Sequence, residues 1–555
     1  MRVRLQQING IVGDIRGNVD AIMKALEDAR KEGIDLLILP EMVVCGYPPL
    51  DLMERPSFLS AIFASNEDLI QATGETALLF GTVTPNGDHP GRPVYNSALL
   101  AHQGKCVGKA HKTLLPTYDV FDEFRYFEPA AEREPVEWAG IKWGITICED
   151  IWNNQNEGQY HTYRTDPAGE LMEKGAELIV NISASPFTLE KPEARKNMLI
   201  RQAKRLGLPL IYCNQVGANT ELIFDGSSTV IGSDGTSLLQ MKTLEEDAGD
   251  IEWKSGSLLP NPVKQYLFPD KQERLFKALV IGLRDYVHKS GMPEKVVLGL
   301  SGGIDSALTA TIATEALGKE QVLGVTMPSR FSSEGSVSDS HDLANNLGIQ
   351  CLELSIKDAY TAINEILEPV FRDTEFDVAE ENIQSRIRGT LLMAISNKFG
   401  HMLLNTGNKS ELAVGYCTLY GDMAGGLSVL ADVYKTDVFA LSRWLNTHYY
   451  QKEIIPWPTI NKPPSAELRP DQKDSDSLPE YDILDGILKA YIEGRLTANE
   501  IVALGYPSDE VKRVITMVDK NEYKRRQAAP GLRVSSKAFG SGRRLPIVQR
   551  WHEPI

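Results

Sequence analysis

The stretch GITICED, residues 144–150, places a thiol, Cys148, at the end of an apolar run with Glu149 and Asp150 directly behind it. A thiolate is the reactive form of cysteine, and neighbouring negative charge disfavours it. A nucleophilic Cys148 therefore needs activating groups from elsewhere in the chain. DLLILPEMVVCGYPPLDL puts Glu41 at a strand end after Pro40, and AHKTLLPTYDVFDEFRYF puts Lys112 in a loop. The plainer reading makes Cys148 a small core residue. Cys213, in LIYCNQVG, has a similar local setting, and spacing alone does not separate the two.

A second group of residues points to phosphate. The strand-like VVLGL runs straight into SGGIDS, residues 301–306, and then into the helical ALTATIATEALG. Strand, small-residue turn and helix is the arrangement in which backbone N–H groups and a helix N-terminus hold phosphate oxygens. The turn has no lysine and lacks the GxxxxGK[ST] spacing, while Asp305 within it suggests Mg²⁺ held between carboxylate and phosphate. A tight Gly-Gly turn with a Ser/Asp helix cap is the alternative. Downstream, ENIQSRIRGTLLMAISN carries Asn382, Arg386 and Arg388 as anion ligands or as a solvated basic face. LNTGNKSELAVGYCTLYGDMAGGLSVLADVYKTDV gathers Thr406, Glu411, Asp422 and Lys435 near one strand end.

Two α/β units are needed to position these groups, because 555 residues exceed what one core organises. Up to about residue 240, IDLLILPE, TALLFGTVTP, YNSALLA, KWGITICED, ELIVNISAS and LPLIYCNQ read as strands, with helices at 18–32 and 194–206. Residues 244–270 turn polar and Pro-rich and read as a linker. A helix over 271–290 and the strands KVVLGL, QVLGVTMP and HMLLNTG then predict a doubly wound parallel sheet. Residues 461–478 are too long for an ordinary connection and predict a mobile or substrate-covering loop.

A net charge of −17 argues against a broad electrostatic grip on nucleic acid or an anionic membrane. No apolar run approaches the ~20 residues of a membrane span, and MRVRLQQING looks like a first strand, without the apolar core of a signal peptide. The six cysteines never form a CxxC pair, which fits free thiols in a reducing cytoplasm. A homo-oligomer is the expected assembly.

At SGGIDS the chain resembles the ATP pyrophosphatase family, whose loop grips the pyrophosphate of ATP while the α-phosphate is attacked. That resemblance implies ATP at Gly299, Leu300, Ser301, Gly302, Gly303, Ile304, Asp305 and Ser306. From about 275 to 546, through PSAELRPDQKDSDSLPEYDILD and EYKRRQAAPG, it is similar to the NAD synthetases, which amidate deamido-NAD. The likeness implies Thr406 and Lys435 at ATP, and Asp305 and Glu411 at Mg²⁺. Glu411 would also touch deamido-NAD, together with Asn382 and Lys524.

Residues 2–265, with Glu, Lys and Cys in that order, resemble the nitrilase (carbon–nitrogen hydrolase) family, and QQINGIVGDIRGN and NISASPF resemble the glutaminase domain of NAD synthetases. The implied fold is an α-β-β-α sandwich over 1–265, followed by an ATP-pyrophosphatase-type parallel-sheet domain over 266–555. In the implied chemistry Cys148 is the nucleophile, Glu41 its general base and Lys112 the charge at the oxyanion, with Tyr118, Ser185 and Lys191 at glutamine. Glu149 and Asp150 are expected to point away, as alternate residues on a strand do. One departure stands out: GANTEL, residues 217–222, replaces the usual Gly-Gln-Asp-Glu. The expected reaction is amidation of deamido-NAD by ammonia from glutamine, with ATP converted to AMP and pyrophosphate. Two rivals remain, another glutamine-dependent amidotransferase of the same ATP chemistry and an amidase regulated by a nucleotide sensor.

Overall fold

The computed structural model describes residues 1–555 except 88–89, 153–162, 471, 552 and 554–555. The chain forms two compact units, Met1–Asp270 and Lys271–Ile555.

In the first unit, apolar and buried central strands build two sheets, with more exposed strands such as Lys105–His111 at an edge. The seven-stranded sheet has the spatial order Ser257–Leu259, Asp247–Lys254, Arg2–Gln7, Leu36–Ile38, Ala77–Pro85, Val94–His102, Lys105–His111. The six-stranded sheet runs Ser237–Gln240, Thr229–Ile231, Leu210–Asn214, Leu178–Ser183, Ile141–Ile147, Val136–Trp138. Side-chain alternation divides the apolar residues between layers. Leu36 and Ile38 meet Ile145, Ile147, Val180 and Ile182 between the sheets. Leu37 and Leu39 face outward against Ile22, Leu26 and Ala29 of the helix Ile15–Lys31. Met198, Leu199 and Ala203 of the helix Lys191–Leu206 cover the other sheet over Ile179 and Tyr212. The layers are therefore α-β-β-α.

Residues 244–270 are not simply a linker. Asp247–Lys254 is an inner strand, antiparallel to Arg2–Gln7 with Arg2 opposite Glu252, and Ser257–Leu259 folds back onto it. The flanking polar and Pro-rich residues mask a period-two burial pattern in DAGDIEWK. The departing GANTEL segment closes as a hairpin, Val216–Asn219 against Leu222–Asp225.

The second unit holds a fully parallel sheet in the order Gln350–Glu353, Val322–Thr326, Val296–Gly299, Met402–Asn405, Leu427–Ser428. Strand order reverses at Val296–Gly299, whose neighbours lie on opposite sides in chain order. Such a switch point opens a crevice at the carboxyl ends of the strands. A helical cluster packs beside the sheet, with Leu484, Ile487, Val511, Val514 and Val518 at its core.

Candidate active sites

In the first unit, three strand ends deliver the candidate residues. Glu41 follows Leu36–Ile38, Lys112 follows Lys105–His111, and Cys148 follows Ile141–Ile147. Gly81 lets the neighbouring strand pass under Glu41: a Cβ there would lie 2.5 Å from the Glu41 Cα and the Met42 nitrogen. Lys112 Nζ donates to Glu41 Oε1 at 2.8 Å and to Glu123 Oε1 at 2.7 Å, with all three side chains buried. Asn96 Nδ2 donates to Glu41 Oε1 at 2.6 Å, and the Ala184 N–H donates to Glu41 Oε2 at 2.8 Å. Tyr47 donates its hydroxyl to Glu123 at 2.8 Å. The Glu41 carboxylate is thus fixed from three directions.

Cys148 is 4% exposed and adopts φ 47, a left-handed conformation that costs a non-glycine residue energy. Burial, then the nearby Glu41 carboxylate, pushes the thiol well above its usual range, with Lys112 opposing. The resting group is a thiol, and a proton acceptor must act as it attacks. Burial works against the Lys112 ammonium too, but Glu123 and Glu41 outweigh it and raise its pKa. Burial pushes the Glu123 carboxyl up. Passing the thiol proton to the Glu41 carboxylate would exchange one negative group for another beside the same ammonium, so the net charge of the cluster would not change.

The residues after Cys148 form a 3₁₀ turn, Cys148–Ile151, so the strand argument for Glu149 and Asp150 does not apply. Glu149 accepts from Tyr118 Oη at 2.9 Å and from Tyr163 Oη at 2.9 Å, and its charge disfavours the Cys148 thiolate. Asp150 turns to backbone amides. Ser185 is buried next to Ala184, and its N–H donates to Asn214 Oδ1 at 2.9 Å. The Lys191 ammonium lies 5.6 Å over the Trp152 ring, just past the turn. Cys213 shares the core cluster between the sheets with Cys148 but differs in its neighbours: its Sγ lies 3.5 Å from the Ile38 carbonyl, and burial pushes it to about 12.

Glu123, Asn96 and Tyr47 are the functional neighbours that sequence reasoning missed. Glu123 lies within a quoted stretch, but nothing in its spacing marks it as Lys112's second partner.

In the second unit, a cavity of about 330 Å³ opens at the switch point. Gly299, Leu300, Ser301, Gly303, Ile304, Asp305, Ser306, Thr406, Glu411 and Lys435 line it, all of them expected from the sequence. Gly302 lies beneath, with φ +72, where a Cβ would run into the Ser336 backbone. The helix Ile304–Leu317 begins at this turn, so its N-terminal N–H groups face the crevice side of the loop. Lys435 Nζ donates to Asp305 Oδ2 and, at 3.1 Å, to Glu411 Oε1. Asn408, another residue not anticipated, bridges the two acids. Its Nδ2 donates to Asp305 at 2.8 Å, while its Oδ1 caps the Glu411 N–H at 3.0 Å. Burial opposes the Lys435 charge, and Asp305 and Glu411 outweigh it; burial pushes the Glu411 carboxyl up.

Asn382 and Lys524 are not among the lining residues and instead brace a loop that is. Asn382 Oδ1 accepts from Thr418 Oγ1 at 2.8 Å, and Lys524 Nζ donates to the Gly415 and Cys417 carbonyls at 2.7 and 2.8 Å. Residues 462–468 and Asp474, from the segment expected to cover substrate, line the cavity. That segment is tied down where Glu467 accepts from Ser333 and Ser336 and Lys462 pairs with Asp339 at 2.9 Å.

No three candidate ligands cluster as a metal cage among the described residues. Asp305 and Glu411 nevertheless bring two hard carboxylates to one ammonium position beside a phosphate-type turn. That donor set fits Mg²⁺, which takes one or two carboxylates plus substrate phosphates and water.

Comparison with known proteins decides the family. Residues 2–251 match the carbon-nitrogen hydrolase model and residues 275–528 the NAD synthase model. A glutamine-dependent NAD(+) synthetase from Synechocystis is 48% identical over 99% of this chain and 99% of its own length. The chain belongs to the glutamine-dependent NAD(+) synthetase family. A Thermotoga maritima member is 44% identical over 100% of both chains. The solved Acinetobacter baumannii member, in complex with ADP, is 39% identical with a TM-score of 0.78 and covers 100% of this chain and 99% of its own. Among the described residues no helix is long and apolar enough to cross a membrane.

Within this family assignment Lys112 is the residue most exposed to test. If Lys112 is the charge at the oxyanion, Lys112→Ala is expected to cut glutamine hydrolysis by ~10²–10³-fold, the usual cost of losing such a donor. It also leaves Glu41 and Glu123 as uncompensated buried carboxylates, so the melting temperature should fall. Lys112→Arg should rescue only in part, because a wider planar head cannot hold the same point-charge position between two carboxylates. Near-normal glutamine turnover in folded Lys112→Ala would remove the assignment.

Proposed function

We propose that the protein makes NAD from deamido-NAD, ATP and glutamine. The supporting observation is the convergence of Cys148, Glu41 and Lys112 in one unit and of Asp305, Glu411 and Lys435 in the other.

In the first unit, Cys148 Sγ attacks the glutamine amide carbon as its proton passes to Glu41. Lys112 faces the negative oxygen of the tetrahedral intermediate. Collapse breaks the C–N bond, and Glu41 returns the proton to the departing ammonia, leaving a thioester. Water then attacks that thioester, Glu41 takes the water proton and hands it to sulfur, and glutamate leaves. Tyr118, Ser185 and Lys191 hold the amino-acid end of glutamine.

In the second unit, the turn 299–306 and Lys435 hold the ATP phosphates, with Thr406 beside them. A nicotinate carboxylate oxygen of deamido-NAD attacks the α-phosphorus, and pyrophosphate leaves. Ammonia then attacks the acyl carbon and displaces AMP. Asp305 and Glu411 would hold Mg²⁺, which when bound neutralises phosphate charge. Asn382 and Lys524 serve deamido-NAD, Lys524 by fixing the loop at Gly415 and Cys417. A cytoplasmic location and a homo-oligomeric state complete the reading.

The test is stoichiometry. With glutamine, deamido-NAD and MgATP, NAD, AMP, pyrophosphate and glutamate should appear together, NAD matching AMP and pyrophosphate one to one. A nucleotide-sensing amidase would release glutamate with no pyrophosphate, and that result would end this reading.

A further inference from the structure

Asp150 occupies a position that neither the nucleophile nor its base explains. Asp150 is 2% exposed, and its carboxyl oxygens turn to backbone N–H groups. Oδ1 accepts the N–H groups of Thr113, at 3.0 Å, and Leu114, at 2.8 Å, the two residues that follow Lys112. Oδ2 accepts the N–H of Ile147, at 3.1 Å, the residue that precedes Cys148. Lys112 ends a strand of the seven-stranded sheet, while Cys148 ends a strand of the six-stranded sheet. One carboxylate therefore joins the carboxyl ends of strands from two different sheets, at the chain neighbours of the two residues whose spacing the proposed thioester chemistry depends on. Charge-assisted bonds to backbone N–H groups are short and directional, and unlike packing they fix register. Burying a carboxylate is costly unless its lone pairs are filled, and here three backbone N–H donors from the two segments fill them.

We propose that Asp150 is a positioning residue for glutamine hydrolysis, setting the placement of the Lys112 ammonium relative to the Cys148 sulfur. The inference rests on the reading of Cys148 as nucleophile. It does not need contact between Asp150 and glutamine. Asparagine in its place would keep the shape but turn an NH₂ toward backbone N–H donors, breaking the bonds to one of the two segments.

In the full-length protein, Asp150→Asn is expected to lower kcat for glutamine by about 10²-fold, as a misplacement of order 1 Å does, with KM little changed. NAD formation from ammonium should stay at the wild-type rate. Because Asp150 acts through Lys112, the double variant Lys112→Ala/Asp150→Asn should be no slower than Lys112→Ala alone. Losses that multiply in the double variant would overturn the proposal, as would glutamine turnover in Asp150→Asn within about twofold of wild type, well short of the expected loss. Should Asp150→Asn fail to fold, Asp150→Glu keeps the charge and shifts the carboxylate by one methylene. It should lower kcat without raising KM, and an unchanged kcat would refute the idea. Failure of the underlying reading looks different: Cys148→Ala would then keep its glutamine activity.

Discussion

Cys148→Ala is expected to lose glutamine-dependent NAD formation almost completely while retaining the ammonium-dependent reaction. Removing a covalent nucleophile costs on the order of 10⁴–10⁶ in turnover when the neighbouring groups cannot substitute for it. They cannot do so here. Glu41 is held by Lys112, Asn96 and the Ala184 N–H, and the nearby Cys45 thiol is buried against the Met42 and Gly46 carbonyls. Cys213 is fully buried with its sulfur against the Gln6 and Ile38 carbonyls, apart from the Glu41–Lys112 pair. Cys213→Ala is the control. It should leave both reactions near wild type and lower stability by about 1 kcal/mol through a small core void. Measuring NAD with glutamine and with concentrated ammonium in parallel decides the matter. Loss of both activities in a folded Cys148→Ala protein would break the division of labour between the units.

Asp305→Asn should stop NAD formation from either nitrogen source. Asp305 lies at the first turn of the helix behind the phosphate turn, paired with Lys435 and held by Asn408. An amide in its place leaves Lys435 with Glu411 alone and removes one of two hard carboxylates from the crevice. The phosphate-bearing substrate then meets a Lys435–Glu411 pair with one carboxylate fewer beside it, and the proposed Mg²⁺ site would lose one of its two carboxylates. Synthesis from ammonium across a Mg²⁺ titration is the measurement that matters. A folded Asp305→Asn protein that tracks wild type at low Mg²⁺ would place the ion elsewhere and require the ATP site to be rebuilt. Glutamine hydrolysis measured in the same variant reports on the first unit independently.

Much of this was legible because the signals are local. A glycine that needs φ +72 at position 302, a strand before it and a helix after it all lie within a dozen residues. The apolar runs that form the two sheets are likewise contiguous, and their strands fall within a few residues of expectation. What escaped is non-local. Glu123 partners Lys112 across 11 residues and Asn96 reaches Glu41 across 55, with no periodicity linking them. The left-handed turn at Cys148 carries no glycine to announce it, so strand alternation was extended one step too far into Glu149 and Asp150. Cys148 and Cys213 share a sequence setting and differ only in what three-dimensional closure brings to them. The hidden strand Asp247–Lys254 shows the opposite failure, a true alternating pattern masked by the polar, Pro-rich residues around it.

That strand also governs how the molecule can be made and divided. Arg2–Gln7 is translated some 240 residues before its antiparallel neighbour. At ~5–20 residues per second, one edge of the opening strand waits roughly ten to fifty seconds for its cover. An unpaired strand edge left open for that long invites pairing with other nascent chains, so synthesis rate and chaperone supply should govern the soluble yield. The same connectivity restricts where a protein engineer can cut. Severing the chain at residue 244 would strip an inner strand from the seven-stranded sheet, whereas a cut after Leu259, within residues 260–270, leaves every strand of the first unit in place.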